Sequence, residues 1–256
     1  MIFLENICFS YGKEPFFKEL SLAFQDGQLT VLIGENGSGK TTLLKLIAGE
    51  EQPQSGCVFL DGKARKAYTA NERARALSYF PQQRPTPEMT ALEVVMMGRY
   101  PYVQNRFVTP QSERERALEA LRAVGAEDFA DRFLQELSYG QRQKIYLAMQ
   151  WAQDAPNCLF DEPTNHLDVR SKFSLMEDLA AMKKQGRCLV CVLHDLPLAL
   201  RYADRLVVLR QGSVLADGAP EALCRAGIIE RAFGVRVRVL EDGEERAYAV
   251  LPAKQA

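Results

Sequence analysis

The chain is poor in histidine: 256 residues hold only two, His166 and His194. His166 has no cysteine nearby in sequence, so a mixed His-Cys metal site finds little to build on. Charge is also missing as a bias. With 32 basic and 33 acidic residues the formal net charge is −1, which gives no electrostatic case for nucleic acid as a partner. No apolar run approaches the ~20 residues that span a bilayer; residues 188–193 and 206–209 are strand-length. The first residues include Glu5 and lack the basic, apolar, small-residue order of a secretory signal. Six cysteines are scattered, at 8, 57, 158, 188, 191 and 224. Cys188 and Cys191 have C-x-x-C spacing, yet on a strand positions i and i+3 face opposite ways. They read as buried core thiols in a cytosolic protein, not as a redox or zinc pair. Internal repeats, low-complexity tracts and coiled-coil heptads are absent too.

What is present is a chain 47% hydrophobic and 25% charged, enough to bury the core of one large α/β domain with room for an inserted lobe. Its most informative stretch is Gly34-Glu35-Asn36-Gly37-Ser38-Gly39-Lys40-Thr41. Residues 29–33 before it suit a buried strand, and 42–48 after it suit a helix. That setting is what the phosphate-binding pattern G-x-x-x-x-G-K-[ST] requires. Glycines let backbone N–H groups wrap a polyphosphate at a helix N-terminus, where orphan donors and the dipole favour an anion. Lys40 is expected on the β- and γ-phosphates and Thr41 on Mg²⁺.

Residues 157–163 form a short apolar run that ends in Asp161, Glu162 and Pro163. Pro163 stops the strand and leaves both acids at its C-terminal end, where open α/β sheets place ligands. Asp161 suits the metal and Glu162 the attacking water. A second buried strand, 188–193, is followed at once by His194, which reads as a γ-phosphate contact. Between these halves, Ser138 and Gln141 make a capping box. The helix it opens carries Ile145, Ala148, Met149 and Ala152 on one face and stops before Pro156. A capped N-terminus holding Gly140 is a second anion-binding surface.

Here the residues resemble a family. Leu137-Ser138-Tyr139-Gly140-Gln141 is similar to the signature of ATP-binding cassette (ABC) ATPases, with Tyr139 where glycine is usual. Gly34 to Thr41 resembles the Walker A loop and 159–162 the Walker B strand plus catalytic glutamate. Gln82, following Tyr79-Phe80-Pro81, resembles the Q-loop glutamine, with Gln83 as the alternative. Residues 165–168 resemble the D-loop and His194 the switch histidine. Tyr11 matches the aromatic that stacks on adenine. The resemblance runs from about residue 2 to residue 225. It implies catalytic roles for Glu162, His194, Gln82 and Lys40. ATP would be bound by Tyr11, Gly34, Asn36, Gly37, Ser38, Gly39, Lys40, Thr41, Thr42, Ser138, Gly140 and Gln141. Mg²⁺ would be held by Thr41, Gln82 and Asp161.

The resemblance also implies a P-loop NTPase core with a mixed sheet, an N-terminal antiparallel β-subdomain and an inserted helical subdomain. The ABC ATPase domain is assigned to 1–240, with the helical insertion at about 84–153, and a C-terminal β-hairpin and tail to 235–256. Strands are expected at 2–9, 20–24 and 57–61. In the helical part Thr109 is read as an N-cap with Pro110 at N1, and 113–116 as a solvated face. Ser171 to Gln185 is expected to be a helix with Phe173, Met176 and Ala180 on its inner side, and Asp242-Gly243 to turn the hairpin. Tyr139, at N1, is expected to lean toward a neighbouring cassette or solvent.

One cassette without a membrane span looks like the separate ATPase subunit of a transporter. Residues 89–102, with Met97-Gly98-Arg99-Tyr100-Pro101, resemble ATPases of iron-siderophore, haem and vitamin B12 importers. The implied partners are a second cassette, two membrane-spanning permease subunits and, indirectly, a substrate-binding protein. The implied place is the cytoplasmic face of the membrane, peripherally. A soluble assembly ATPase of the iron–sulfur cluster type, or the ATPase of an exporter or another importer, is the alternative.

Overall fold

In the computed structural model the described residues are all except Lys13, 104–109, 243–244 and 254–256. The chain opens with β1 (Ile2–Phe9), β2 (Phe17–Phe24) and β3 (Leu29–Ile33), then helix α1 (Lys40–Ala48). Strands β4 (Ser55–Leu60) and β5 (Lys63–Ala64) follow, then α2 (Ala70–Ala76) and β6 (Leu77–Phe80). Helices α3 (Ala91–Met97), α4 (Gln111–Ala123) and α5 (Tyr139–Gln153) precede β7 (Asn157–Asp161). Next come α6 (Val169–Lys184), β8 (Cys188–Val192), α7 (Leu196–Tyr202), β9 (Arg205–Arg210) and β10 (Ser213–Gly218). The end is α8 (Pro220–Arg225), α9 (Ile228–Phe233) and the hairpin β11 (Val235–Asp242) and β12 (Glu245–Pro252).

One sheet is antiparallel, in the order β2-β1-β4-β5. The other is mixed, β10-β9-β3-β8-β7-β6, parallel except for the β9–β10 pair. Its central strands are buried on both faces, as parallel strands covered by helices must be. Along β8, Cys188, Val190 and Val192 enter one core while Leu189 and Cys191 enter the other. The two thiols therefore lie on opposite faces of the sheet, both fully buried. Burial pushes the thiol of Cys191 well above its ordinary range, consistent with a packing role.

The consequence that matters is positional. Strands β3, β8, β7 and β6 are consecutive neighbours and run parallel. Their C-terminal ends thus share one edge, so the phosphate loop, His194, the Asp161–Glu162 pair and Gln82 start from adjacent strands.

Several local expectations change. Strand β2 starts at Phe17, not 20, because the Phe17 ring is fully buried. Pro110 is the N-cap of α4, which begins at Gln111; Thr109 lies outside the described residues. Glu113 is not solvated but sits 15% exposed against Arg99. On α6 the inner face is Leu175, Met176, Leu179 and Met182, while Phe173 is 40% exposed. The hairpin strands extend through Asp242 and from Glu245, and Gly243 lies outside the described residues.

Candidate nucleotide site

The loop after β3 needs glycine at two points. A Cβ on Gly34 would lie 2.2 Å from the Leu209 carbonyl oxygen, and one on Gly39, at φ +107°, would lie 2.7 Å from the Phe16 ring. Gly39 caps α1 with no side-chain bond, which leaves the first amides of that helix open to an anion. Ser38 Oγ is buried without a partner, a second orphan donor in the same loop. Lys40 is 6% exposed, and its ammonium donates to the carbonyls of Gly34 at 2.8 Å and Glu35 at 2.9 Å. Burial lowers its pKa, an effect opposed by Glu162 and Asp161. The cavity beside it, about 330 Å³, is lined by Tyr11, Phe16, Asn36, Gly37, Gly39, Lys40, Thr41, Thr42, Glu162 and His194. Tyr11 is 65% exposed, its hydroxyl 3.0 Å from Thr42 Oγ1 and its ring edge-on to Phe9. Phe16 was not anticipated, since nothing in its spacing distinguishes it from a core aromatic.

At the end of β7 the two carboxylates have different company. Asp161, 1% exposed, accepts from Thr41 Oγ1 at 3.1 Å. Burial raises its pKa, the Thr41 hydrogen bond lowers it, and the neighbouring Glu162 raises it again. Glu162 is 9% exposed and holds φ at +51°, a left-handed conformation unusual for a side-chain-bearing residue. Gln82 Nε2 donates to Glu162 Oε2 at 2.6 Å, and Asn165 Nδ2 donates to the same oxygen. His194 Nε2 pairs with Oε1. Three side chains therefore converge on one carboxylate. Gln82 makes that contact; both Gln82 and Gln83 line a second cavity beside Tyr139 and His166.

Ser138, Gly140 and Gln141 do not line the Lys40 cavity. The capping box is present: Ser138 Oγ accepts from the Gln141 amide at 3.3 Å, and Gln141 Oε1 accepts from the Ser138 amide at 2.8 Å. Tyr139 is 37% exposed and faces solvent as expected, but it is also engaged within its own copy. Its hydroxyl accepts from Gln143 Nε2 at 2.7 Å, and its ring meets His166 edge-on. A Cβ on Gly140 would meet Leu167 and Ser171 at 3.7 Å, ordinary contact. Asp168 caps α6 by accepting from the Ser171 amide at 2.8 Å, and these Ser171 bonds hold its pKa low.

The Met-Gly-Arg-Tyr-Pro segment is largely inward. Arg99 is 4% exposed and donates to Glu113 at 2.7 Å and to the Ala152 carbonyl at 2.5 Å. Its guanidinium also covers the Tyr102 ring at 4.0 Å. A Cβ on Gly98 would lie 2.4 Å from the Met149 carbonyl oxygen. Met97 and Tyr100 remain outside, 41% and 59% exposed.

A glycine loop opening a helix, with two carboxylates and a histidine on neighbouring strand ends, defines a P-loop nucleoside triphosphatase. The comparisons narrow the class. The ABC transporter family profile matches residues 17–165. The ferric enterobactin transport ATP-binding protein FepC of Escherichia coli K12 is 38% identical over 251 residues, 97% of this chain and 92% of that protein. A chain of a transporter assigned to the metal-chelate ABC type, in an inward-facing conformation, superposes with a TM-score of 0.82 at 25% identity. The match covers 98% of this chain and 96% of that one. The dimeric cassette MJ0796, bound to ADP and Pi in a post-hydrolysis state, superposes at 0.74 with 29% identity, covering 86% and 99%. The chain belongs to the ABC transporter family and is an ATP-hydrolysing cassette of it. Among the described residues no helix is long and apolar enough to cross a membrane.

Proposed function

We propose that this cassette powers import of a metal chelate of the iron-siderophore, haem or cobalamin class, as one of two copies on a pair of membrane-spanning permease subunits. It would sit peripherally on the cytoplasmic face of the membrane, with a substrate-binding protein delivering cargo on the far side. The observation that carries the catalytic part is the convergence of Gln82, Asn165 and His194 on Glu162, beside the Lys40 cavity. The likeness to FepC and to the metal-chelate-type transporter supports the cargo class.

In this reading the 34–41 loop amides and Lys40 hold the β- and γ-phosphates, and Tyr11 stacks on adenine. Glu162 orients the attacking water and accepts its proton, and His194 contacts the γ-phosphate. Thr41, Asp161 and Gln82 would hold Mg²⁺. Their oxygens fit a hard cation, and Thr41 Oγ1 and Asp161 Oδ1 already lie 3.1 Å apart. When bound, the metal supplies charge neutralisation at the phosphates. Ser138, Gly140 and Gln141, apart from the cavity of their own copy, would complete the site of the other copy. The dimeric MJ0796 cassette supports that pairing.

Growth tests the cargo. Deleting the gene should abolish use of one ferric siderophore, haem or cobalamin as sole source, and Lys40→Ala should not restore it. Normal uptake of all three, with loss of sugar or amino-acid uptake instead, would overturn the assignment.

A further inference from the structure

Tyr139 occupies the signature position where glycine is usual, and its side chain has specific work within its own copy. Its hydroxyl accepts from Gln143 Nε2 at 2.7 Å. Gln143 is 2% exposed, and its other amide atom, Oε1, has no partner. A glycine at 139 would therefore strand the whole buried amide. The Tyr139 ring stands edge-on to the His166 imidazole, centroids 5.7 Å apart at 89°. His166 is held at φ +60°, a conformation that side-chain-bearing residues adopt rarely unless their surroundings hold them there. Directly before it, Asn165 donates to the Glu162 carboxylate.

We propose that Tyr139 is a positioning residue for hydrolysis: by packing on His166 it fixes the 165–168 turn and keeps Asn165 on Glu162. This rests on the reading of Glu162 as the base. The first turn of α5, which is exposed to engage a second copy, is thereby tied to the hydrolytic carboxylate of the same copy. The ring carries the effect, and the hydroxyl serves Gln143 and the nearby Arg84 guanidinium.

With two histidines in the chain, the His166 imidazole signals are assignable in NMR spectra of the full chain by His166→Ala. Tyr139→Gly should remove the ring-current shift on them, and Tyr139→Phe should keep it. In steady-state ATPase assays Tyr139→Gly should lower kcat about threefold to tenfold, the scale of one aromatic pair, with KM for ATP unchanged. Tyr139→Phe should retain most of kcat, and His166→Ala should match Tyr139→Gly without adding to it. An unshifted imidazole in Tyr139→Gly, an unchanged kcat, or equal loss in Tyr139→Phe would each overturn the proposal. Glu162→Gln run alongside separates the two readings. Normal turnover there removes the base assignment itself, whereas abolished turnover with a silent Tyr139→Gly removes only the role of Tyr139.

Discussion

Gln82 and Glu162 lie 80 residues apart in sequence and are joined by a 2.6 Å hydrogen bond from the amide of one to the carboxylate of the other. They leave the sheet from neighbouring parallel strands, β6 and β7, whose register aligns Phe80 with Phe160. The contact is thus built into the strand order.

Two substitutions read this contact. Glu162→Gln keeps shape but removes the proton acceptor, so ATP should bind while hydrolysis falls ~10²–10⁴-fold. Gln82→Ala should lower turnover by about tenfold through a lost charge-assisted hydrogen bond, whereas Gln83→Ala should leave it unchanged. Steady-state phosphate release measures all three, and equal effects at 82 and 83 would contradict the geometry.

Gly140→Asp should abolish ATPase activity without unfolding the chain. A Cβ there makes only 3.7 Å contacts inside one copy, so the thermal midpoint should hardly move. The loss would come from a negative charge set against the nucleotide of the other copy. Calorimetry paired with an ATPase assay decides it, and a large fall in Tm would place the demand for glycine inside the monomer.

Arg99→Ala should destabilise the chain by about 3 kcal/mol, because it leaves the largely covered Glu113 carboxylate without its buried partner. Chemical denaturation followed by circular dichroism would measure this. A variant as stable as the parent would mean that Glu113 finds water or another cation.

Asp178 should give stability an acid-side slope. Its Oδ2 is buried without a partner. Burial, opposed by Lys144 and aided by Glu177, raises its pKa from 3.8 to about 6. Between these values the folded chain binds more protons than the unfolded one, so this contribution favours folding at low pH and is lost as pH rises through about 6. Asp178→Asn should flatten that part of the stability–pH curve and raise stability at neutral pH. Denaturation midpoints at several pH values would reveal an unchanged slope if the carboxyl is in fact solvated.

The parts of the site legible in sequence are those coded locally. The glycine loop, the Ser138–Gln141 capping box and the acids stopped by Pro163 each declare themselves within a few residues, and each is found as expected. Contacts between distant segments were not legible. Phe173 has helical spacing with Met176, yet it sits outside the core beside Tyr202, with the Arg201 guanidinium over its ring. Periodicity names a face and is silent on what covers it. The 113–116 charge run likewise hid Glu113, whose partner Arg99 comes from another segment of the chain. The contact of Tyr139 with His166 is likewise hidden, because the two lie 27 positions apart in sequence.

The inward Arg99 clasp divides the Met97–Pro101 segment into hidden carpentry and visible trim. Gly98 and Arg99 are committed to contacts inside the helical part, with the Met149 carbonyl and with Glu113. Met97 and Tyr100 are exposed and rim a recess with Asn71, Ala74, Pro101, Val103 and Gln153. Exchanging Met97 and Tyr100 would therefore reshape the rim of this recess while leaving the internal contacts of Gly98 and Arg99 in place.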